Sequence, residues 1–151
     1  MATRSQWARE PIGRIDPSGA DFPGGFPGDP VNAFLAEGRT GNAAAVFNWM
    51  RDLLHFRLDH PALRRGRLTE LIVSKDQYVY LRSSPEEHVL VILNRDGAVK
   101  PVEIEVDDLY LAEGLRFKSF SQGQPDSAVA QGKLVIRDPK EINIYWAQVP
   151  Q

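Results

Sequence analysis

The sequence has 151 residues, of which 42% are hydrophobic and 25% are charged, and its formal net charge is -2. These values are typical of a globular protein and argue against the basic surface that nucleic acids or anionic membranes attract. The chain has no cysteine, which excludes disulfides, thiolate nucleophiles and cysteine-ligated zinc. The N-terminus lacks the apolar core of a signal peptide, and no apolar run approaches a membrane span. We therefore expect a cytoplasmic protein that binds neither nucleic acid nor membrane.

Residues 1–41 are predicted to be mostly irregular because they contain five of the eleven prolines and seven of the twelve glycines. The stretch from Asp21 to Pro30, D-F-P-G-G-F-P-G-D-P, carries three prolines, three glycines and two phenylalanines. Such a long segment without secondary structure is usually functional or belongs to something larger. Within it, Asp29 to Glu37 is predicted to form one short helix, with Asp29 as the N-cap and Pro30 at the first helical position.

Residues 42–60 are predicted to form a long helix, capped by Asn42 or Thr40 and ended by Pro61. Apolar side chains cover most of its circumference: Val46, Phe47, Trp49, Met50, Leu53, Leu54, Phe56 and Leu58. A helix that is apolar around most of its girth is typically buried between two bodies. The β-rich part that follows provides one such body, so we expect the other to come from elsewhere.

Residues 67–149 are predicted to form about seven antiparallel strands, spaced as in a sandwich or barrel. These strands are Arg67–Val73, Gln77–Arg82, Glu87–Asn94, Val99–Val106, Leu115–Phe120, Lys133–Arg137 and Ile142–Ala147. The nearly continuous apolar run in Glu87–Asn94 predicts a central strand covered on both faces. The alternation in Val99–Val106 predicts a strand with one solvated face. The fold class is therefore mainly β: an antiparallel sandwich after an irregular loop and one long helix.

The polar residues predict no metal, cofactor or catalytic constellation. His55 and His60 are five residues apart, which does not match the spacing of a helical metal pair. Adjacent acids such as Glu86 and Glu87 point to opposite faces of a strand and do not make an acid–base dyad. No serine lies in a nucleophile elbow, and no Lys-Ser/Thr follows the glycine-rich loop as a phosphate loop requires.

Two sets of side chains are candidates for binding a sugar or another polyol. Tyr78 and Tyr80 share one face of a strand, where they would stack on sugar rings or, in the reading we favour, pack against the helix. Tyr110 and Trp146 carry the same ambiguity. In the second set, an arginine and an aspartate flank the two phenylalanines of the loop. This arrangement suits either the binding of a polyol or a loop that is held in place by ion pairs and by packing of its aromatic rings. The residues of this second set are Asp21, Phe22, Phe26 and Arg39.

The run from Asp21 to about Arg82 resembles the end of bacterial cyclomaltodextrinase/neopullulanase-type enzymes, which belong to the α-amylase superfamily, glycoside hydrolase family 13. The matching motifs are D-F-P-G-G-F-P-G-D, G-R-T, L-L-H-F-R, H-P-A-L-R-R-G-R-L and Y-V-Y-L-R, in the same order and with similar spacing. The remainder agrees with these enzymes only in its β-rich architecture.

This resemblance implies that residues 1–66 hold the loop and last helix of a truncated (β/α) barrel, and that residues 67–151 are the C-terminal β-sandwich. The loop would form part of the rim of an α-glucan cleft, with Asp21, Phe22, Phe26 and Arg39 as substrate contacts. The family's catalytic carboxylates lie on earlier barrel strands, upstream of Met1. The resemblance therefore implies no catalytic residue here, a chain inactive by itself, and a cytoplasmic or periplasmic parent enzyme.

Two other functions remain open at this stage. The sandwich aromatics would suit a stand-alone module that binds maltodextrin or cyclodextrin without hydrolysing it. The apolar surface of helix 42–60 would suit a structural protein that docks onto a barrel domain or onto a second copy of itself, because an exposed apolar patch usually marks an interface.

Overall fold

The computed structural model describes residues 35–39, 41–95, 99–109, 111–121 and 123–150. The chain divides into two compact units, Met1–Phe56 and Arg57–Gln151. The loop from Asp21 to Pro30 lies outside the described residues, as does most of the predicted helix from Asp29 to Glu37. The described end of that region is a turn, in which Gly38 N donates to Leu35 O at 3.2 Å.

Helix α1, Gly41–Asp59, confirms the predicted long helix within one residue at each end. It stops at Asp59 because the residue before a proline is disfavoured in helical conformation, and His60 is extended at φ -110° and ψ 98°. Its one buried residue is Phe56. Its exposed large apolar side chains are Val46, Phe47, Trp49, Met50, Leu54 and Leu58. Most of the apolar surface of α1 is therefore exposed, whereas the sequence predicts a helix covered on two sides.

A second, short helix follows directly. Helix α2, Pro61–Arg65, was not predicted from the sequence, in which Pro61 served only to end α1. The same proline that ends one helix begins the next, since its fixed φ and missing N–H suit the first helical turn. With five residues, α2 is too short to show a periodic pattern.

Eight strands follow within the described residues, and the expected antiparallel class is confirmed. They are β1 Arg67–Val73, β2 Gln77–Ser83, β3 Glu87–Asn94, β4 Val102–Glu105, β5 Arg116–Ser119, β6 Ser127–Ala130, β7 Lys133–Ile136 and β8 Ile142–Gln148. A short 3-10 helix, Asp107–Leu109, follows β4. The strand order is β1-β2-β3-β8-β5-β6-β7-β4, and every neighbouring pair is antiparallel.

The structure corrects the strand list in two places. β6 was missed because its sequence, S-A-V-A, has weak strand chemistry. Its pairing with β7 depends on the tight turn at Gln131 and Gly132, which have φ of 54° and 72°, as the favoured hairpin turns require. The predicted strand Val99–Val106 is shortened to β4, because Pro101 has no N–H to donate to a sheet ladder.

The core lies where the two ends of the sheet face each other. Inward side chains of β2, β3 and β8, such as Leu81 and Tyr145, join those of β4 to β7, such as Phe117 and Leu134, in one buried cluster. The predicted burial of β3 on both faces is confirmed, since seven of its eight residues are buried. The predicted alternation of β4 is also confirmed by its buried–exposed–buried–exposed pattern.

Candidate functional site

The best-formed polar site lies where α2 meets the sheet, and we call His60, Ala62, Gly66, Arg82 and Glu87 the joint. The Glu87 carboxylate is 2.7 Å from His60 Nδ1 through Oε2, and its Oε1 accepts the Ala62 N–H at 2.8 Å. The side chains of His60 and Glu87 are only 12% and 7% exposed. A carboxylate removed from water is tolerated when its oxygens are hydrogen-bonded, as they are here. The joint therefore fixes the turn at Pro61 against β3.

Arginine side chains satisfy the carbonyl groups of α2. Arg82 on β2 donates from Nε to Ala62 O at 3.1 Å and from Nη2 to Leu63 O at 3.5 Å. Arg57 donates from Nη1 to the same Leu63 O at 3.2 Å. A short helix leaves most of its carbonyls without partners inside the helix, and cations are favoured near its C-terminal end. Arg82 on β2 and Glu87 on β3 therefore both bind the backbone of α2, and together they hold this helix against the sheet.

Gly66 ends α2 in a place with no room for a side chain. A Cβ atom there would lie 2.5 Å from Ala62 O, 2.8 Å from Ser83 O and 2.9 Å from Ala62 Cα. All of these atoms belong to the backbone, so none can rotate away. Glycine is needed at position 66 because the backbones of α2 and β2 approach it closely. Its conformation does not require glycine, since its φ of -64° is one that any residue adopts.

The outer face of β2 carries the predicted pair of tyrosines, whose shared face is confirmed. Their ring centroids are 5.3 Å apart, and the Tyr78 hydroxyl donates to Glu70 Oε1 at 2.8 Å. The hydrogen bond to Glu70 raises the pKa of Tyr78, and burial raises the pKa of Tyr80. Both phenols therefore stay protonated at neutral pH. Each tyrosine contacts the other, so the pair is a packed part of the sheet face.

A groove opens on the same outer face farther along the sheet, beside Trp146. The ring centroids of Trp146 and His60 are 4.9 Å apart, and Lys118 Nζ lies 5.0 Å from the Trp146 ring centroid. The groove has a volume of about 310 Å³ and is also lined by Arg116, Gln148 and Glu113. Such a volume lies at the lower end of the range for small-ligand sites. We call this the Trp146 groove.

The predicted substrate-contact residues are only partly described. Asp21, Phe22 and Phe26 lie outside the described residues. The Arg39 guanidinium lies over the Phe47 ring, 3.6 Å from its centroid, which is a close cation–π contact within the first unit. These four assignments therefore stay predictions.

Sequence reasoning missed the joint, although one signal for it was present. Glu87 begins a buried strand whose central residues, Val89 to Leu93, are all apolar, and an acid in such a strand needs a buried partner. Nothing local identifies His60 as that partner, since the two residues are 27 positions apart. Within the described residues, no group of three or more histidine, aspartate or glutamate side chains could hold a metal ion. In the same part of the chain, no helix is long and apolar enough to cross a membrane.

Burial of His88 predicts a pH-dependent stability. Burial lowers the pKa of His88, and the neighbouring Glu87 opposes that change only in part. Below about pH 6.5 the unfolded chain takes up a proton that the folded chain resists, so stability is lost as pH falls. Urea unfolding at pH 7.5 and pH 5.5 should show a smaller acid-induced loss for His88→Gln than for the natural chain. The exposed His55→Gln variant should keep the natural pH dependence, and an equal flattening in both variants would contradict the assignment.

No protein-family model matches the chain. Its fold is similar to several solved structures, among them α-amylases. AmyP E221Q in complex with maltotriose matches with a TM-score of 0.62 and 16% identity, over 78% of this chain and 23% of that one. An α-amylase from Geobacillus thermoleovorans, complexed with acarbose, matches with a TM-score of 0.59 and 15% identity, over 75% and 24% of the two chains. An Anoxybacillus α-amylase matches with a TM-score of 0.57 and 20% identity, over 72% and 23%.

The chain spans only about a quarter of the length of these solved structures. At such low identity the likeness concerns the fold, and fold does not by itself fix function.

Proposed function

We propose that this chain is the C-terminal part of an α-glucan-hydrolysing enzyme of the amylase superfamily, of the cyclomaltodextrinase/neopullulanase type. In this proposal residues 67–151 are the β-sandwich that supports a catalytic barrel, and α1 is the last helix of that barrel. The observation that carries the proposal is the fold match, which covers more than 70% of this chain but about a quarter of each α-amylase. The motif order from Asp21 to Arg82 supports the finer assignment.

The exposed side chains of α1 support a role in a larger assembly. Val46, Met50, Leu54 and Leu58 are between 43% and 61% exposed, and they recur at the spacing of one helical stripe. A contiguous apolar surface of this kind usually marks an interface. The occupant we propose is the barrel of the parent enzyme, because an apolar barrel helix is normally covered on its inner side by barrel strands.

Within the second unit, the joint attaches α2 to the sheet, which is consistent with the proposed supporting role. The buried Glu87–His60 contact and the Arg82 hydrogen bonds hold α2 against β2 and β3. In the same proposal, Asp21, Phe22, Phe26 and Arg39 contact α-glucan at the cleft rim, and the catalytic carboxylates belong to the barrel upstream.

The DNA directly upstream of Met1 tests the proposal first. We expect an open frame that encodes barrel strands with two aspartates and one glutamate in catalytic positions. The longer product should hydrolyse maltodextrin or cyclodextrin, whereas the 151-residue chain alone should not. A stop codon and ribosome-binding site just before Met1 would overturn the proposal. Hydrolysis by the pure chain, lost when one of its own acids is mutated, would also contradict it.

Substitutions on α1 test the interface. Met50→Gln and Leu54→Gln should change the stability of the isolated chain by less than about 0.5 kcal/mol, because these side chains are 43% and 54% exposed. The same substitutions should destabilise the longer product by about 2 kcal/mol, because burial of a Met or Leu side chain contributes roughly that amount. They should also reduce self-association of the isolated chain, measured by light scattering.

The matched control for these variants is Asn48→Gln, which exchanges one exposed polar side chain for another on the same helix. It should leave both the stability of the longer product and the self-association unchanged. Equal effects of the apolar and the control substitutions in the longer product would show that this surface is not an interface.

A further inference from the structure

A cleft opens between α2 and the turn that joins β2 to β3. Arg64 and Arg65 line it on the side of α2, and Ser83, Ser84 and Glu86 line it on the side of the turn. Its volume is about 400 Å³, which lies within the range of small-ligand sites. We call it the arginine cleft.

The fold holds both walls of the arginine cleft in place. The α2 wall is packed tightly on β2, because a Cβ atom at Gly66 would lie 2.8 Å from Ser83 O. In the other wall, the Ser84 N–H donates to Glu87 O at 2.9 Å, and Ser84 Oγ accepts the Glu86 N–H at 3.3 Å. The cleft is therefore preformed, which reduces the cost of ordering it around a ligand.

The arginines of the cleft have no acidic partner. None of the ion pairs within the described residues involves Arg64 or Arg65, and both side chains are exposed. Arg67, which lies opposite Ser83 in the sheet, is also outside those ion pairs. Three guanidinium groups without an ion pair therefore stand close together in a chain whose formal net charge is -2.

The structure of α2 does not use the arginines of the cleft. Its carbonyl groups are bonded by other arginines, since both Arg57 and Arg82 donate to Leu63 O. Stabilisation of the C-terminal end of α2 by cations is thus already provided. Arg64 and Arg65 therefore keep all of their N–H donors available on the cleft side of the helix.

Two adjacent guanidinium groups match a phosphate group better than a carboxylate. Arginine binds oxyanions through pairs of parallel N–H bonds, and a phosphate monoester offers three terminal oxygens and about two negative charges. A carboxylate offers two oxygens and one charge, so it satisfies only one guanidinium group in this way. The serines contribute little, because Ser84 Oγ is occupied within its turn and Ser83 Oγ lies 3.0 Å from His88 Nδ1.

We propose that the arginine cleft binds the phosphate group of a small ligand. The phosphate lies between Arg64 and Arg65 and accepts N–H groups from both. Glu86, on the opposite wall, repels further negative charge, which limits the ligand to one phosphate group. This inference goes beyond the proposed function and does not depend on whether a barrel is encoded upstream.

NMR of the complete chain, titrated with inorganic phosphate at constant ionic strength, tests the proposal. The Nε–H signals of Arg64 and Arg65 and the amide signal of Gly66 should shift together, with a Kd of about 3 mM. Arg64→Gln and Arg65→Gln should each weaken binding at least about fivefold, because hydrogen bonds to charged groups are the stronger ones. Glu86→Gln should tighten binding about threefold by removing a like charge.

The matched control is Arg137→Gln, because Arg137 is also exposed but lies outside the cleft. This variant loses the same charge and should bind phosphate as the natural chain does. Glycerol phosphate, titrated in the same way, distinguishes the two sources of the phosphate group. Tighter binding of glycerol phosphate assigns the cleft to an organic phosphate, and equal affinities assign it to the free ion.

Three results would overturn the proposal. The first is an absence of shifts at about 30 mM phosphate, well above the expected Kd. The second is an equal weakening by Arg64→Gln and Arg137→Gln, which would reduce the binding to an effect of overall charge. The third is binding of acetate as tightly as phosphate at the same ionic strength. None of these results affects the upstream-sequence test of the proposed function.

Discussion

Replacing Gly66 with alanine is expected to lower the free energy of unfolding of the sandwich by about 3 kcal/mol or more, among the larger effects seen for single substitutions. The new Cβ would lie 2.5 Å from Ala62 O and 2.8 Å from Ser83 O, well inside van der Waals contact. Because both oxygens are backbone atoms, relief requires α2 to move away from β2. That movement would weaken the Arg82 hydrogen bond to Ala62 O, which is 3.1 Å long. Chemical unfolding followed by circular dichroism measures the change.

Gly114→Ala is the matched control for Gly66→Ala. Gly114 has a φ of +80°, so alanine is strained there, but a Cβ would meet nothing within 4 Å. Its expected cost is about 1 kcal/mol, which is the usual cost of left-handed backbone for a residue with a side chain. If Gly66→Ala costs no more than Gly114→Ala, the close packing of α2 on β2 is not what holds the joint.

Glu87→Ala is expected to destabilise the chain by about 3 kcal/mol, because it removes the buried acceptor that bonds His60 Nδ1 and the Ala62 N–H. The carboxylate now bonds both His60 Nδ1 and the Ala62 N–H, and its side chain is only 7% exposed. Glu87→Gln keeps an acceptor for Ala62 N and should cost less, about 1 to 2 kcal/mol. Urea unfolding of the variants at pH 7.5 measures both changes.

The neighbouring acid provides the control, since Glu86 is exposed and Glu87 is buried. Glu86→Ala should change stability by less than about 0.5 kcal/mol. Trp146 fluorescence gives a second readout, because His60 contacts both Glu87 and the Trp146 ring. Loss of Glu87 should therefore alter the Trp146 emission of the folded protein, and an unchanged spectrum together with unchanged stability would contradict the role given to the joint.

One residue of the joint, His60, contacts the Trp146 ring that lines the groove. His60 is hydrogen-bonded to Glu87 on the sheet and packs against the Trp146 ring. A substitution that releases His60 should therefore disturb the Trp146 ring as well as the turn at Pro61.

The sequence by itself determined the helix and most of the strands of this protein. The reason is that local hydrophobic periodicity and proline positions act over a few residues. The alternation of Val102, Glu103, Ile104 and Glu105 specified β4, and Pro61 specified the end of α1. Motif order also implied an amylase-like architecture, with which the matches to solved α-amylase structures agree.

Only the tertiary structure decided how distant residues combine. β6 exists because it pairs with β7, and its own sequence does not require a strand. Glu87 meets His60 across 27 positions, and Trp146 meets Lys118 on a neighbouring strand. Gly66 is required because two backbone segments approach it, which no local pattern encodes. Periodicity fixes which face of an element is apolar, whereas strand order and register determine which side chains meet, and these depend on the whole chain.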